Sequence, residues 1–202
     1  MSPDVKFEVF SDKISSIYKI RISEPIPHLK ITYQVTWNYA NIHEDAISMD
    51  DIPEYIRKTY LQLPQTLPVE VKILAESLKN TSLTVLDQVL KDVKYFVNNF
   101  EYDSEIQTKG FIERDWVLTF LKKRKGICMD AATALTIILR CQGIPARVCC
   151  GFKPREKVGH KVLYSVSEAH ALTEVYLPPY GWVPFDATPA GVRLSTRRFF
   201  FC

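Results

Sequence analysis

The segment "KGICMDAATALTIILRCQGIPARV", residues 125–148, places a cysteine at the start of a long apolar run. From Cys128 to Arg140 the apolar residues cover most of the circumference of a helix, which is typical of a helix in the middle of a core. Gly143 suits the left-handed backbone that ends a helix, and Pro145 prevents continuation. The pattern therefore predicts a buried helix from Cys128 to about Arg140, with the cysteine in its first turn.

This position gives Cys128 two alternative interpretations. A thiolate at a helix N-terminus faces unsatisfied N–H groups and the positive end of the helix dipole, which lower its pKa and make it nucleophilic. The same N–H groups suit a developing oxyanion. Alternatively, the cysteine packs as a small apolar residue, because cysteine is among the most buried residue types. The other cysteines have no such position, and packing explains them better; they are Cys141, Cys149, Cys150 and Cys202.

A nucleophilic cysteine needs a base, and the base needs a group that orients it. His170 begins the strand-like segment "HALTEVY", and Asp186 follows the segment "GWVPF" after a Pro-Pro-Tyr-Gly turn. If Tyr176 pairs with Trp182, His170 and Asp186 share one face of the hairpin as diagonal neighbours about 7 Å apart. If Leu177 pairs with Trp182 instead, they lie on opposite faces. The catalytic interpretation predicts the first register; in the alternative, His170 is a structural histidine on a half-buried strand.

The rest of the chain predicts an α+β fold with a β-rich N-terminal segment. Three strands with alternating apolar residues are predicted within residues 5–39, and the polar stretch "NIHEDAISMDD" (41–51) marks a boundary. We therefore predict an accessory segment at 1–48 and a core domain at 49–202. Helical spacing follows within 67–80, from a Thr81-Ser82 cap to residue 100, and in 115–123. Four short strands are predicted after the cysteine helix, at 147–152, 161–166, 169–177 and 181–187.

Composition excludes several classes of protein. The 202 residues are 47% hydrophobic and 24% charged with a net charge of +3, which is ordinary for a soluble folded domain and argues against nucleic-acid binding. No stretch approaches the roughly 20 apolar residues of a membrane span, and no signal peptide is recognisable. The odd count of five cysteines argues against a disulfide framework. We expect a cytoplasmic location by default, and an extracytoplasmic one if the chain is a fragment of a longer, membrane-anchored protein.

Three blocks together resemble the transglutaminase-like superfamily, whose core is a circularly permuted relative of the papain fold. The blocks are "GICMDAATALTIILRCQGIPAR", "EAHALTEVY" and "GWVPFDATP", and the resemblance extends over about residues 60–189. It implies a Cys-His-Asp triad in which Cys128 is the nucleophile, His170 the general base and acid, and Asp186 the orienting carboxylate. One departure is Leu172, where the family commonly has tryptophan.

The implied activity is cysteine-dependent acyl chemistry on an amide through a thioester, with peptide or amide hydrolysis favoured and transfer to an amine as the other outcome. The partner would be a protein or peptide substrate, and neither a cofactor nor a metal is expected. Trp116 is a weak candidate for a second oxyanion donor. One alternative is a catalytically silent module that binds a peptide or a partner. Another is a zinc site built from Cys128, Cys149 or Cys150, and His160 or His170, although the chain has no CxxC element.

Overall fold

A computed structural model describes residues 7–12, 17–22, 42–105, 115–158 and 161–189 of the chain. The chain divides into two compact units, Met1–Asn41 and Ile42–Cys202. The sequence-based boundary lies at 48/49, whereas contacts within the chain place the division at 41/42. In the first unit, strands β1 (Phe7–Asp12) and β2 (Ile17–Ile22) form an antiparallel hairpin. The third strand predicted for this unit lies outside the described residues.

The second unit begins with helices whose N-termini follow local sequence signals. The α3 helix begins after Thr84, whose Oγ1 accepts a hydrogen bond from the N–H of Asp87 at 3.2 Å, so the predicted Thr81-Ser82 cap is wrong. The α4 helix begins after Asp115, whose carboxylate accepts from the N–H of Leu118 at 2.9 Å. The five α-helices among the described residues are α1 (Glu54–Tyr60), α2 (Val69–Leu78), α3 (Val85–Asn99), α4 (Trp116–Lys123) and α5 (Cys128–Cys141).

A three-stranded antiparallel sheet follows the helices, in the order β5-β6-β7. Its strands are β5 (Ala146–Val158), β6 (Lys161–Leu177) and β7 (Gly181–Phe185), and a short parallel pair, β3 (Glu101–Tyr102) with β4 (Lys125–Gly126), precedes α5. The two strands predicted at 161–166 and 169–177 are one continuous strand. Tyr176 pairs with Trp182, which confirms the register that the catalytic interpretation requires. Helices followed by an antiparallel sheet confirm the α+β prediction.

The α5 helix is the centre of the core, as its apolar pattern predicts. Its residues Ala131, Ala134, Leu135, Ile138 and Leu139 are fully buried. It packs against β5 and β6 and also contacts α2, α3 and α4. After α5, Gly143 takes a positive φ of 88° and its N–H bonds to the carbonyl of Arg140. The predicted end of the helix is therefore confirmed.

Two further observations bear on the sequence-based expectations. Cys149 is disulfide-bonded, so packing alone does not account for it, whereas Cys128, Cys141 and Cys150 are free thiols. In the described part of the chain, no helix has both the length and the apolar composition needed to cross a bilayer.

Candidate active site

Cys128 is the first residue of α5, half-buried, and its side chain is held where the helix meets the sheet. The N-terminal turn of α5 is capped by Asp130, whose Oδ2 accepts a hydrogen bond from the N–H of Ile127 at 2.8 Å. No acceptor among the described residues takes the N–H of Cys128 itself. The first turn therefore presents the thiol together with an open backbone donor.

Gly126 makes the close approach of Asp130 possible. A Cβ at position 126 would lie 2.5 Å from Asp130 Oδ2 and 2.8 Å from a ring carbon of Phe120. The other carboxylate oxygen of Asp130 accepts a hydrogen bond from the indole Nε1–H of Trp116, a residue that is 40% exposed. The indole N–H of Trp116 is therefore directed at Asp130 in this structure, which weakens Trp116 as a second oxyanion donor.

His170 and Asp186 meet across the β6–β7 hairpin, where the confirmed register puts them on one face. Their side chains are joined between His170 Nε2 and Asp186 Oδ2 at 2.8 Å, and both are largely buried. Cys128 is hydrogen-bonded to the His170 side chain. Because Nε2 is hydrogen-bonded to Asp186, the hydrogen bond to the Cys128 thiol is assigned to Nδ1. The structure thus brings the three predicted residues together in the order Cys128, His170, Asp186.

The electrostatic environment of Cys128 favours the thiolate. Burial by itself raises the pKa of the thiol. This effect is outweighed by the hydrogen bond to the His170 side chain, by backbone hydrogen bonds from Ala171 and Met129, and by attraction to the His170 charge, so the pKa of Cys128 lies below its ordinary value. The thiol of Cys141 differs, because burial raises its pKa and Lys72 offsets this only in part.

Asp186 remains a carboxylate although it is buried. Burial raises its pKa, but the hydrogen bond to His170 and two hydrogen bonds from Thr188 lower it below its ordinary value. Thr188 donates from its hydroxyl to Asp186 Oδ1 at 2.5 Å and from its backbone N–H to the same oxygen at 3.0 Å. A negative charge beside His170 stabilises the positively charged form of its imidazole.

Sequence reasoning missed two residues of this site, Thr188 and Asp130. Asp130 has a recognisable signal, because an acidic residue at the third helical position often accepts from the N-terminal backbone. Thr188 follows Asp186 by two residues in the quoted block "GWVPFDATP", but a threonine there has no special pattern.

The remaining sequence-based candidates lie elsewhere or outside the described residues. His43 bonds through its backbone to the hydroxyl of Tyr180. His28 and His160 lie outside the described residues, so the part of the zinc alternative that uses His160 is not described. Within the described residues, no group of three or more histidine, cysteine, aspartate or glutamate side chains is arranged to hold a metal ion.

The sequence around this site is similar to that of known proteins. The family model described as the Transglutaminase-like superfamily matches residues 72–187. An uncharacterized Bacillus subtilis protein, YebA, is 36% identical over 137 residues, which cover 64% of this chain and 19% of that protein. A protein-glutamine gamma-glutamyltransferase of Pseudomonas aeruginosa is 31% identical over 147 residues, covering 71% of this chain and 22% of that protein. The chain therefore spans about a fifth of the length of these curated relatives.

Two solved structures have the same fold. The periplasmic domain of TgpA from Pseudomonas aeruginosa, bound to ethylmercury, is 28% identical with a TM-score of 0.58, covering 70% of this chain and 51% of that one. A protein from Cytophaga hutchinsonii has a TM-score of 0.56 over 93% of this chain and 63% of its own, but at 21% identity this likeness shows the fold alone.

Proposed function

The chain belongs to the transglutaminase-like superfamily, and on that premise we propose that it carries out cysteine-dependent acyl chemistry on an amide of a protein or peptide substrate. The observation that carries the proposal is the hydrogen-bonded series from Cys128 through His170 to Asp186, with the pKa of the thiol lowered. A half-buried cysteine that only packs needs neither a histidine partner nor a carboxylate behind that histidine.

The proposed acylation starts from a Cys128 thiolate and a His170 imidazolium. The sulfur attacks the carbonyl carbon of a carboxamide or peptide bond, and the carbonyl oxygen becomes an oxyanion. The open N–H of Cys128, at the N-terminus of α5, is the proposed donor to that oxygen. His170 Nδ1–H then gives its proton to the leaving nitrogen. The carbon–nitrogen bond breaks, ammonia or an amine departs, and the acyl group stays on Cys128 as a thioester.

Water or an amine completes the cycle. His170 Nδ1 takes a proton from the attacking molecule, whose oxygen or nitrogen bonds to the thioester carbon, and the carbon–sulfur bond breaks to return the thiolate. Attack by water gives hydrolysis, which is our first proposal for the overall reaction. Attack by a primary amine gives transamidation. This second candidate is favoured by the 31% identical Pseudomonas relative, which is named as a protein-glutamine gamma-glutamyltransferase.

A silent binding module is less consistent with the site. Such a module has no use for a buried His-Asp pair at 2.8 Å aimed at a thiol, because burying charged groups costs stability. The two ideas differ in one measurable respect, since only an enzyme forms a covalent acyl intermediate.

The test is a covalent trap. The protein is incubated with a panel of peptides containing glutamine or an activated amide, with and without a fluorescent primary amine, and intact and digested masses are recorded. We expect an acyl adduct on Cys128, followed by release of an acid without the amine or of an amide with it. Cys128→Ala removes the adduct while the fold remains, and Cys141→Ala is the matched control that keeps it. The proposal is contradicted if none of the peptides forms an acyl adduct with Cys128. It is also contradicted if the adduct still forms in Cys128→Ala.

We also propose an extracytoplasmic location, in place of the cytoplasmic default. The support is that the matched TgpA structure of Pseudomonas aeruginosa, at 28% identity, is of a domain named as periplasmic. Fractionation of cells that express the natural full-length protein tests this proposal, and recovery of the domain in the cytosolic fraction contradicts it.

A further inference from the structure

Asp186 is held by two different partners, one on each carboxylate oxygen. Oδ2 lies 2.8 Å from His170 Nε2, whereas Oδ1 accepts both the hydroxyl and the backbone N–H of Thr188, at 2.5 and 3.0 Å. The hydroxyl must be the donor, because an ionised carboxylate only accepts. Thr188 is 4% exposed, so water does not readily replace this hydroxyl if it is removed.

The position of Asp186 in the fold explains why such a restraint matters. Strand β7 ends at Phe185, so the ladder with β6 does not extend to Asp186. The terminal torsion of an aspartate side chain is soft, and rotation about it swings both oxygens. Two hydrogen bonds to Oδ1 fix the plane of the carboxylate and thereby the direction of Oδ2 towards the imidazole.

We propose that Thr188 is a positioning residue for the acyl chemistry: its hydroxyl holds Asp186 in the orientation that keeps His170 directed at Cys128. This inference rests on the proposed function of the Cys128–His170–Asp186 series. Both hydrogen bonds that Thr188 donates go to Asp186, so its effect on Cys128 passes through Asp186.

The test measures alkylation of Cys128 by iodoacetamide as a function of pH, with digestion and mass spectrometry to separate the cysteines. Only the thiolate reacts, so the midpoint of the profile reports the thiol pKa and needs no knowledge of the substrate. Thr188→Val removes the hydroxyl at nearly constant volume but keeps the backbone N–H. We expect its midpoint to move to higher pH and the rate at pH 7 to fall roughly threefold to tenfold. Thr188→Ser, which restores a hydroxyl, should return the wild-type profile.

A merely structural threonine would not produce this pattern. Thr136, in the middle of α5, is the matched control, because it is also 4% exposed and its hydroxyl is hydrogen-bonded to that of Thr173 on β6 at 3.3 Å. Thr136→Val should lower stability and leave the alkylation profile unchanged. In an Asp186→Asn background, Thr188→Val should add no further shift, since a residue that acts through Asp186 has nothing left to act on.

The outcomes separate this inference from the proposed function. A folded Thr188→Val protein with the wild-type profile overturns the role of Thr188 and leaves the function standing. Cys128 that reacts no faster than Cys141 in the wild-type protein overturns the proposed function itself. If Thr188→Val does not fold, Thr188→Ala, which also lacks the hydroxyl, is measured in its place, and an unshifted profile contradicts the inference equally.

Discussion

At the scale of single residues, the asymmetry of Asp186 decides what a conservative substitution does. Asn in its place keeps the shape but has only one oxygen. With that oxygen on Thr188, its NH₂ group faces His170 Nε2 and forces that nitrogen to accept. The neutral imidazole then carries its proton on Nδ1, the atom that takes the proton from Cys128 in the proposed mechanism.

We therefore expect Asp186→Asn to slow acyl-adduct formation by roughly 10³- to 10⁴-fold, because the wrong tautomer is stabilised. Folding should be retained, which circular dichroism and a thermal melt would show. Asp87→Asn, at an exposed position on α3, is the control that should keep wild-type rates. An Asp186→Asn protein that is acylated at the wild-type rate removes Asp186 from the mechanism.

The partners of the triad show how far residue-level prediction can go. His170 and Asp186 could be related from the sequence because hairpin register converts position numbers into faces of a sheet. Thr188 could not, because it lies beyond the end of β7, where no periodicity determines which way a side chain points. Asp130 is recognisable as a helix cap, but its second partner, Trp116, is fourteen residues away and is set only by the packing of α4 on α5.

At the scale of elements, the entry into α5 depends on Gly126. Alanine there would bring a methyl group to 2.5 Å from Asp130 Oδ2 and 2.8 Å from the Phe120 ring, both buried. Either contact must yield, and the carboxylate cannot move without losing the N–H of Ile127. We expect Gly126→Ala to lower the free energy of unfolding by roughly 1–3 kcal/mol, measured by urea denaturation. Equal stability would mean that the α5 N-terminus adjusts freely.

The C-terminal end of α5 depends on Gly143 for a different reason. A Cβ on Gly143 would meet nothing within 4 Å, so only its φ of 88° disfavours other residues. Gly143→Val should therefore cost about 1–2 kcal/mol through backbone conformation alone. Gly143→Asn should cost less, because asparagine tolerates positive φ. If the two variants are equally stable, backbone strain is not what selects glycine.

Element boundaries were less predictable than element types. Both ends of α5 follow the sequence, because apolar spacing and the glycine point to the same limits. The start of α3 was misplaced because Thr81, Ser82 and Thr84 are all suitable caps, and only the structure shows that Thr84 binds the N–H of Asp87. The sequence predicts two strands within residues 161–177, because the polar pair Ser167-Glu168 interrupts the apolar alternation. In the structure, β6 pairs with β5 on both sides of this pair.

At the scale of the whole described core, three helices meet around a buried carboxyl group, Asp92 of α3, which is 0% exposed. Gln88 donates to its Oδ1 at 2.9 Å, and Gln142, just after α5, donates to the carbonyl of Ala75 in α2 at 3.2 Å. Asp92 Oδ2 and Gln142 Oε1 have no hydrogen-bond partner among the described residues. A proton on Asp92 would supply a donor between these side chains.

This cluster predicts how stability depends on pH. Burial raises the pKa of Asp92 to about 6, although Gln88, Gln142 and the charge of Lys91 oppose the rise. Between the unfolded value of about 3.9 and 6, the folded protein keeps the proton that the unfolded chain has released, so stability falls as the pH rises. Asp92 contributes on the order of 2–3 kcal/mol to the free energy of unfolding. This contribution is fully present below pH 4 and is lost above pH 6.

The measurement is the free energy of unfolding from urea titrations between pH 4 and 7. Asp186, with its lowered pKa, acts in the opposite direction but only as the pH falls below about 4, so the two effects occupy separate windows. Asp92→Asn, which cannot ionise, should remove the decline between pH 4 and 6, whereas Asp87→Asn at the exposed α3 position should keep it. A wild-type profile that is flat across this range, or a decline that persists in Asp92→Asn, would show that Asp92 is not the group that binds the proton.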